Sequence, residues 1–424
     1  MRAIAVRVCQ AAIATSCLAR GLFAQRAYSW QEIRDRFLMA NPTLQAGQLN
    51  VQESREQEIT AYLRPNPDFT VATDGTQLAP YHGVYQPFTG TQVSTAVSYL
   101  HERQHKRELR RESAERGTSI AESQQLDTQR SLLFNLRAAF VQTLQAKALL
   151  ASAQENLNYY DQELNINRER FRAGDISQLD LNRLQLQRVQ YESDLATAQV
   201  NLRTAKITLL MLLNDRTAVD QFDVTGRFDF SETLAALEEY RSMALEARPD
   251  LKAAMQAIEK AQTDHRLAIA NGSTDPTFSS WWTHNPSFNN PFDNNTIGAS
   301  VSVPLRIFDK NQGEKARTQT EIGRVERLRD ATQAQVFNDV DSGYYTVSNA
   351  LSLLKPYKET YLPTATAVRE TMSYSYQRGQ AALVDFLDAQ RDYRATQVAY
   401  INLVGSYLTA AAQLNLAVGR EVLP

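Results

Sequence analysis

A chain of 424 residues with 47 acidic and 45 basic side chains has a net charge of −2, which leaves no electrostatic footprint for nucleic acid or for a polybasic membrane-surface site. Both cysteines, Cys9 and Cys17, stand near the N-terminus, so the rest of the chain can form neither a disulfide nor a thiolate metal site.

Met1 to about Ala27 has the layout of a secretory signal. Arg2 precedes apolar stretches at Ala3–Val6 and Ala11–Ala14, and small residues follow at Ala19 and Ala24. The segment predicts export, and Ala14-Thr15-Ser16-Cys17 reads as a degenerate lipid-attachment site without its usual leucine. No run of 18 apolar residues comes after it, which argues against a transmembrane helix. A membrane crossing would then have to use strands.

The remaining chain divides into a first repeat over 28–214, a loop over 215–236 and a second repeat over 237–424. Each repeat opens with a helix, at Tyr28–Leu63 and from Leu237 to about Ala270, and Pro42 matches Pro249. Each continues with a strand pair, at about 68–99 and about 276–305. Phe69, Val71 and Thr73 alternate with small or polar residues, as do Val93, Thr95, Val97 and Tyr99, and Ile297, Ala299, Val301 and Val303. One apolar and one small polar face over about ten residues is the pattern of a membrane barrel strand. A half-buried soluble hairpin has the same pattern. Four strands are too few to close a barrel, since about eight is the minimum, so membrane strands would need copies of the same chain to complete them. Trp281, Trp282, Tyr81 and Tyr85 are candidate interfacial anchors.

Each repeat ends in a long helical hairpin, over 104–214 and 311–418. Phe171–Leu212 returns 205 positions later as Tyr376–Ala417 without a gap. Leu181, Leu195, Leu202 and Leu209 form a seven-residue grid broken only by Arg188; the second copy reads Phe386, Tyr393, Tyr400, Tyr407 and Leu414. These are coiled-coil seams. The hairpins turn at Arg172-Ala173-Gly174-Asp175 and Gln377-Arg378-Gly379-Gln380, where glycine supplies the left-handed conformation and Asp175 with Gln178 offers a capping box. Pro356 and Pro363 should interrupt the ascending helix of the second hairpin, and Gly117 should loosen that of the first.

Two motifs bear on chemistry. His101-Glu102-Arg103-Gln104-His105 spells the H-E-x-x-H of zinc hydrolases, but it follows a strand and is flanked by Lys106, Arg107, Arg110 and Arg111, so the expected reading is a solvated polar collar with no metal. Asp385 and Asp388, three apart at a helix start, suit the positive helix end and need no further role on their own. No phosphate loop or nucleophile elbow occurs, and neither an enzyme nor a cofactor is expected. A periplasmic coiled-coil scaffold would explain the heptads but not the strands.

The duplicated hairpins, the strand pairs and the export signal together resemble the TolC-type outer-membrane channels, the outer-membrane factors of tripartite efflux systems. The most specific pieces are Ala247-Arg248-Pro249-Asp250-Leu251, Phe171-Arg172-Ala173-Gly174-Asp175, Val384-Asp385-Phe386-Leu387-Asp388-Ala389 and Val303 to Gly313. Pro304 to Gly313 is most similar to the CzcC and CusC branch, which exports heavy-metal cations. The resemblance implies a mainly helical homotrimer in the outer membrane, with twelve strands forming a β-barrel over a tunnel of twelve helices. It also implies a periplasmic adaptor protein and an inner-membrane pump, of the proton-driven RND type, as partners. Gly174, Asp175, Arg378 and Gly379 would lie at the periplasmic tip that the adaptor meets. Asp385 and Asp388 would ring the aperture, with Asp180 as the first-repeat equivalent of Asp385. Secretion of polypeptides by a type I system, or of organic drugs, would use the same conduit. Val97 to Arg107 departs from the family in lacking a glycine-rich strand-to-helix junction.

Overall fold

The computed structural model describes residues 26–286 and 294–423. The expected export signal, through residue 25 and with Cys9 and Cys17, lies outside the described residues, as do residues 287–293. Helices α1 (Trp30–Ala40) and α2 (Pro42–Tyr62) precede strands β2 (Asp68–Asp74) and β3 (Gln92–Leu100), and β1 (Arg26–Tyr28) precedes both helices. A 68-residue helix α3 (Lys106–Ala173) and its return α4 (Gln178–Leu212) follow. The second series is β4 (Phe222–Val224), α5 (Leu237–Ala247), α6 (Pro249–Asn271), β5 (Thr277–His284), β6 (Asn295–Ser302), α7 (Gln312–Pro356), α8 (Leu362–Gln377) and α9 (Leu383–Val418).

The opening helix of each repeat is two helices, because Pro42 and Pro249 lack the N–H that would continue α1 and α5 and instead begin new helices at the tolerated first position. Between Pro356 and Pro363 the chain makes a π-turn, Tyr357–Tyr361, in which the Leu362 N–H reaches back to the Tyr357 carbonyl. The expected interruption thus takes the form of a bulge that absorbs the missing donors. At Gly117 the expected loosening does not occur; α3 runs through it unbroken, since a single glycine costs only about 1 kcal/mol in a helix this long.

The loop between the repeats holds an unforeseen strand. β4 pairs in parallel with β1, Tyr28 opposite Val224, and Asp223 accepts hydrogen bonds from Lys147 Nζ at 2.6 Å while pairing with the buried Lys206 at 3.2 Å. Two lysines on neighbouring helices fix the strand that short-range patterning does not reveal.

The chain condenses into two compact units, each drawing on both repeats. One comprises the chain through Ala46, Leu126–Arg248 and Ala334 onward. Its core has one cluster around Ile33, Phe37, Leu136, Phe140, Leu209 and Phe222 and another around Tyr160, Leu184, Tyr191, Tyr376 and Phe386. Helix α9 is by length and composition apolar enough to cross a membrane, but more than half of that window is buried in the protein, as befits the central helix of this core.

The other unit, Gly47–Gln125 and Pro249–Gln333, carries the sheet. Strands β2-β3-β5-β6 run antiparallel in that order, so the two strand pairs join through β3 and β5 and leave β2 and β6 as edges without a partner strand among the described residues. Register sets the faces. Phe69, Val97, Ser280 and Ala299 share one row, and Val71, Thr95, Trp282 and Ile297 the next on the same side. On this side Ile297 is 83% exposed and Phe69 69%. The opposite side carries Ser94, Ser98, Thr283, Thr296 and Ser300. At the strand-to-helix junction, Lys106 opens α3 and donates to Asp275 at 2.5 Å and to the Ser273 carbonyl at 3.1 Å.

Candidate functional site at the hairpin tips

Both hairpins turn by one hydrogen-bond scheme. The Gly174 N–H donates to the Phe171 carbonyl at 3.0 Å and the Asp175 N–H to Arg170 at 2.8 Å, with Gly174 at φ +87°. In the second copy Gly379, at φ +73°, donates to Tyr376 at 3.0 Å, and Gln380 to Ser375 at 2.9 Å. Every partner is displaced by 205, so the repeat extends to individual bonds of the Schellman turn. Gly174, Asp175, Arg378 and Gly379 are all exposed, and the Arg378 guanidinium stacks on the Tyr374 ring 4.4 Å from its centroid.

The helix restarts differ from the Asp175–Gln178 box. The Schellman turn consumes Gly174 and Asp175, which delays the next helix to Ser177. There Ser177 Oγ accepts from the Asp180 N–H at 3.1 Å and donates to the Asp180 carboxylate at 2.8 Å. In the second copy Ala382 has no side chain to accept, and only the reverse bond survives, from the Ala382 N–H to the Asp385 carboxylate at 3.3 Å. Asp388 pairs with Arg391 at 3.2 Å. Asp385 and Asp388 are exposed together at one helix start, whereas Asp180 is engaged at its own cap on the other hairpin.

Behind the tips, side chains that the sequence does not single out tie the hairpins together. Glu163, buried on α3, accepts from Ser373 Oγ at 2.6 Å and from Gln377 Nε2 at 3.1 Å on α8. Arg170 covers the Tyr376 ring, which stacks on Phe386 at 5.0 Å. Arg394 on α9 reaches Asp194 on α4 at 3.0 Å. Burial pushes the Tyr160 hydroxyl well above its usual range and that of Tyr191 up to about 12, so both rings stay neutral, and Tyr160 donates to the Leu184 carbonyl at 3.0 Å. By the same 205-residue shift Arg188 matches Tyr393, and Leu164 matches Arg369.

The H-E-x-x-H segment is not helical. His101 follows β3, Gln104 and His105 have left-handed φ of 59° and 55°, and α3 starts only at Lys106. Glu102 is held by Arg110 at 2.5 and 2.8 Å. The two histidines therefore share no helix face, and no group of three His, Cys, Asp or Glu side chains suited to a metal occurs among the described residues.

Two helical hairpins combined with an open sheet whose apolar face is exposed are the elements of a membrane channel. The sequence profile of the outer membrane efflux proteins matches residues 33–215 and 240–420, and the chain belongs to that family. It is an outer-membrane efflux channel. Among its relatives, the cobalt-zinc-cadmium resistance protein CzcC of Cupriavidus metallidurans is 23% identical over 400 residues, covering 90% of this chain and 87% of CzcC. The outer-membrane channel OprN has the same fold at a TM-score of 0.75 and 15% identity, covering 92% of this chain and 89% of OprN. CusC matches at 0.74 and 18% identity, with 92% of each chain covered.

Proposed function

We propose that three copies close into one twelve-stranded barrel continued by a tunnel of twelve helices, a passive conduit for heavy-metal cations delivered by a periplasmic adaptor and an inner-membrane pump of the RND type. The observation that carries this reading is the four-stranded sheet whose two edges have no partner strand among the described residues and whose apolar face is exposed. An edge left open in lipid costs several kcal/mol for each unpaired N–H or C=O, and antiparallel joining of β2 to β6 of the next copy removes every edge. Similarity to CzcC supports metal cations as cargo. The exposed turns at Gly174, Asp175, Arg378 and Gly379 are the surface offered to the adaptor.

Asp385 and Asp388 become six carboxylates around the threefold axis, concentrating cations and storing repulsion that favours dilation; Asp180, the first-repeat equivalent of Asp385, is a lesser contributor. Trimers that survive detergent and dissociate on heating, recovered from the outer-membrane fraction, would bear out the assembly. A strain lacking the protein should lose tolerance to divalent metals before it loses tolerance to organic drugs; the reverse order refutes the cargo assignment. Recording single channels of Asp385→Ala/Asp388→Ala should reveal weakened cation selectivity, and unchanged selectivity removes the two aspartates from the pore.

A further inference from the structure

Adjacent residues Trp281 and Trp282 point to opposite sides of the sheet. Trp282 shares its row with Val71, Thr95 and Ile297 on the apolar side. Trp281 stands in the row Thr70, Ala96, Trp281, Gly298, on the side made of serine, threonine and other small residues. Both could not be lipid anchors on one face. The polar side makes room for the indole: its neighbours across β3 and β6 are Ala96 and Gly298, and the ring lies so close over Gly298 that a β-carbon there would overlap its six-membered ring. Covering a glycine in a strand is a structural use of an aromatic residue. Trp281 is half-buried in this position, so part of the indole stays open on the polar side.

We propose that Trp281 lines the lumen of the closed barrel, giving passing aromatic and organic-cation solutes a surface for stacking and cation–π contact. The inference rests on the barrel reading above, in which the apolar side meets lipid and the polar side meets water. Weakly hydrated organic cations gain from an indole face, whereas tightly hydrated metal ions keep their water and gain little. Trp281 thereby extends the range of solutes the barrel wall favours beyond metal ions.

The chain has three tryptophans, Trp30, Trp281 and Trp282, so conservative phenylalanine replacements isolate each sheet residue. Trp30→Phe/Trp282→Phe leaves Trp281 as the sole tryptophan, and Trp30→Phe/Trp281→Phe leaves Trp282, each excited selectively over the tyrosines. Each full-length protein is reconstituted in vesicles of brominated phosphatidylcholine and, separately, titrated in ordinary vesicles with 1-methylnicotinamide, a water-soluble aromatic cation. Brominated lipid should quench Trp282 and spare Trp281, while the cation should quench Trp281 with a constant at least about twofold that of Trp282. Lipid quenching of Trp281 as strong as that of Trp282, or equal cation quenching of the two, overturns the proposal. If brominated lipid quenches neither residue, the barrel reading itself fails, a result distinct from the first.

Discussion

The guanidinium carbon of Arg369 lies 3.7 Å from the centroid of the Tyr393 ring and 4.4 Å from that of the Tyr159 ring. Tyr393 is the repeat equivalent of Arg188, the residue that breaks the heptad grid of the first hairpin. Both hairpins therefore place a guanidinium at this level of the seam, contributed by the return helix α4 in one and by the ascending helix α8 in the other. Arg188 is held by Asp161 at 2.5 and 3.1 Å and remains partly wet. Arg369 is only 8% exposed, and its Nε has no hydrogen-bond partner among the described residues.

Arg369→Leu restores the residue found at the equivalent Leu164 and removes both ring contacts. Two desolvated cation–π contacts should outweigh the cost of the buried Nε, so the variant loses about 1–2 kcal/mol. Denaturant unfolding of the purified protein checks this. A variant as stable as the wild type would mean that desolvation of the guanidinium cancels both rings.

The repeat, the glycine turns and the proline interruption were legible because each depends on residues close in sequence, with period or backbone sterics as the signal. Arg369 beside two tyrosines was not, nor was Glu163 beneath Ser373 and Gln377, because their partners lie on helices far apart in the chain. Strand β4 escaped for the same reason: three residues paired in parallel with β1 leave no local pattern. The Ser177 cap was misplaced by two residues, because the Schellman turn ahead of it uses up Asp175 before a helix can restart.

The two N-caps offer a direct comparison. Ser177 and Ala382 are equivalent by the 205-residue shift and both are extended, at ψ 155°. Ala382→Ser supplies the acceptor missing from the second copy and should add about 1 kcal/mol, and Ser177→Ala should remove a similar amount. Equal melting temperatures for wild type and both variants would show that neither cap contributes to the folded state.

The ends of α4 and α9 are equivalent too, yet they tolerate different residues. Asn214 and Gly419 both adopt positive φ, of 51° and 88°. A β-carbon on Gly419 would stand 3.2 Å from the backbone carbonyl of Ala247, so the space as well as the dihedral selects glycine there. Gly419→Asn should destabilise by about 1–2 kcal/mol, whereas Asn214→Gly should lie within about 0.5 kcal/mol of wild type. Thermal unfolding of the two variants side by side decides it, and equal losses would contradict the packing argument.

Acid should weaken the strand-to-helix junction through Asp275. Burial alone would raise its carboxyl, but the hydrogen bonds from Lys106 and from the Arg103 N–H outweigh it and hold the group below the usual carboxylate range. A carboxyl with a folded pKa below its unfolded value of about 3.9 contributes stability that is full above that value and disappears as pH falls through the folded one. The pair is well buried, with side-chain exposures of 4% for Lys106 and 16% for Asp275. Asp275→Asn leaves the Lys106 ammonium without its counter-charge and should cost about 3 kcal/mol at neutral pH. The variant should also lose less stability than wild type on acidification below about pH 4, since this carboxylate no longer takes up a proton on unfolding. Unfolding followed from neutral pH to about pH 2.5 separates the two effects, and parallel pH profiles for variant and wild type would show that Asp275 does not couple folding to protons.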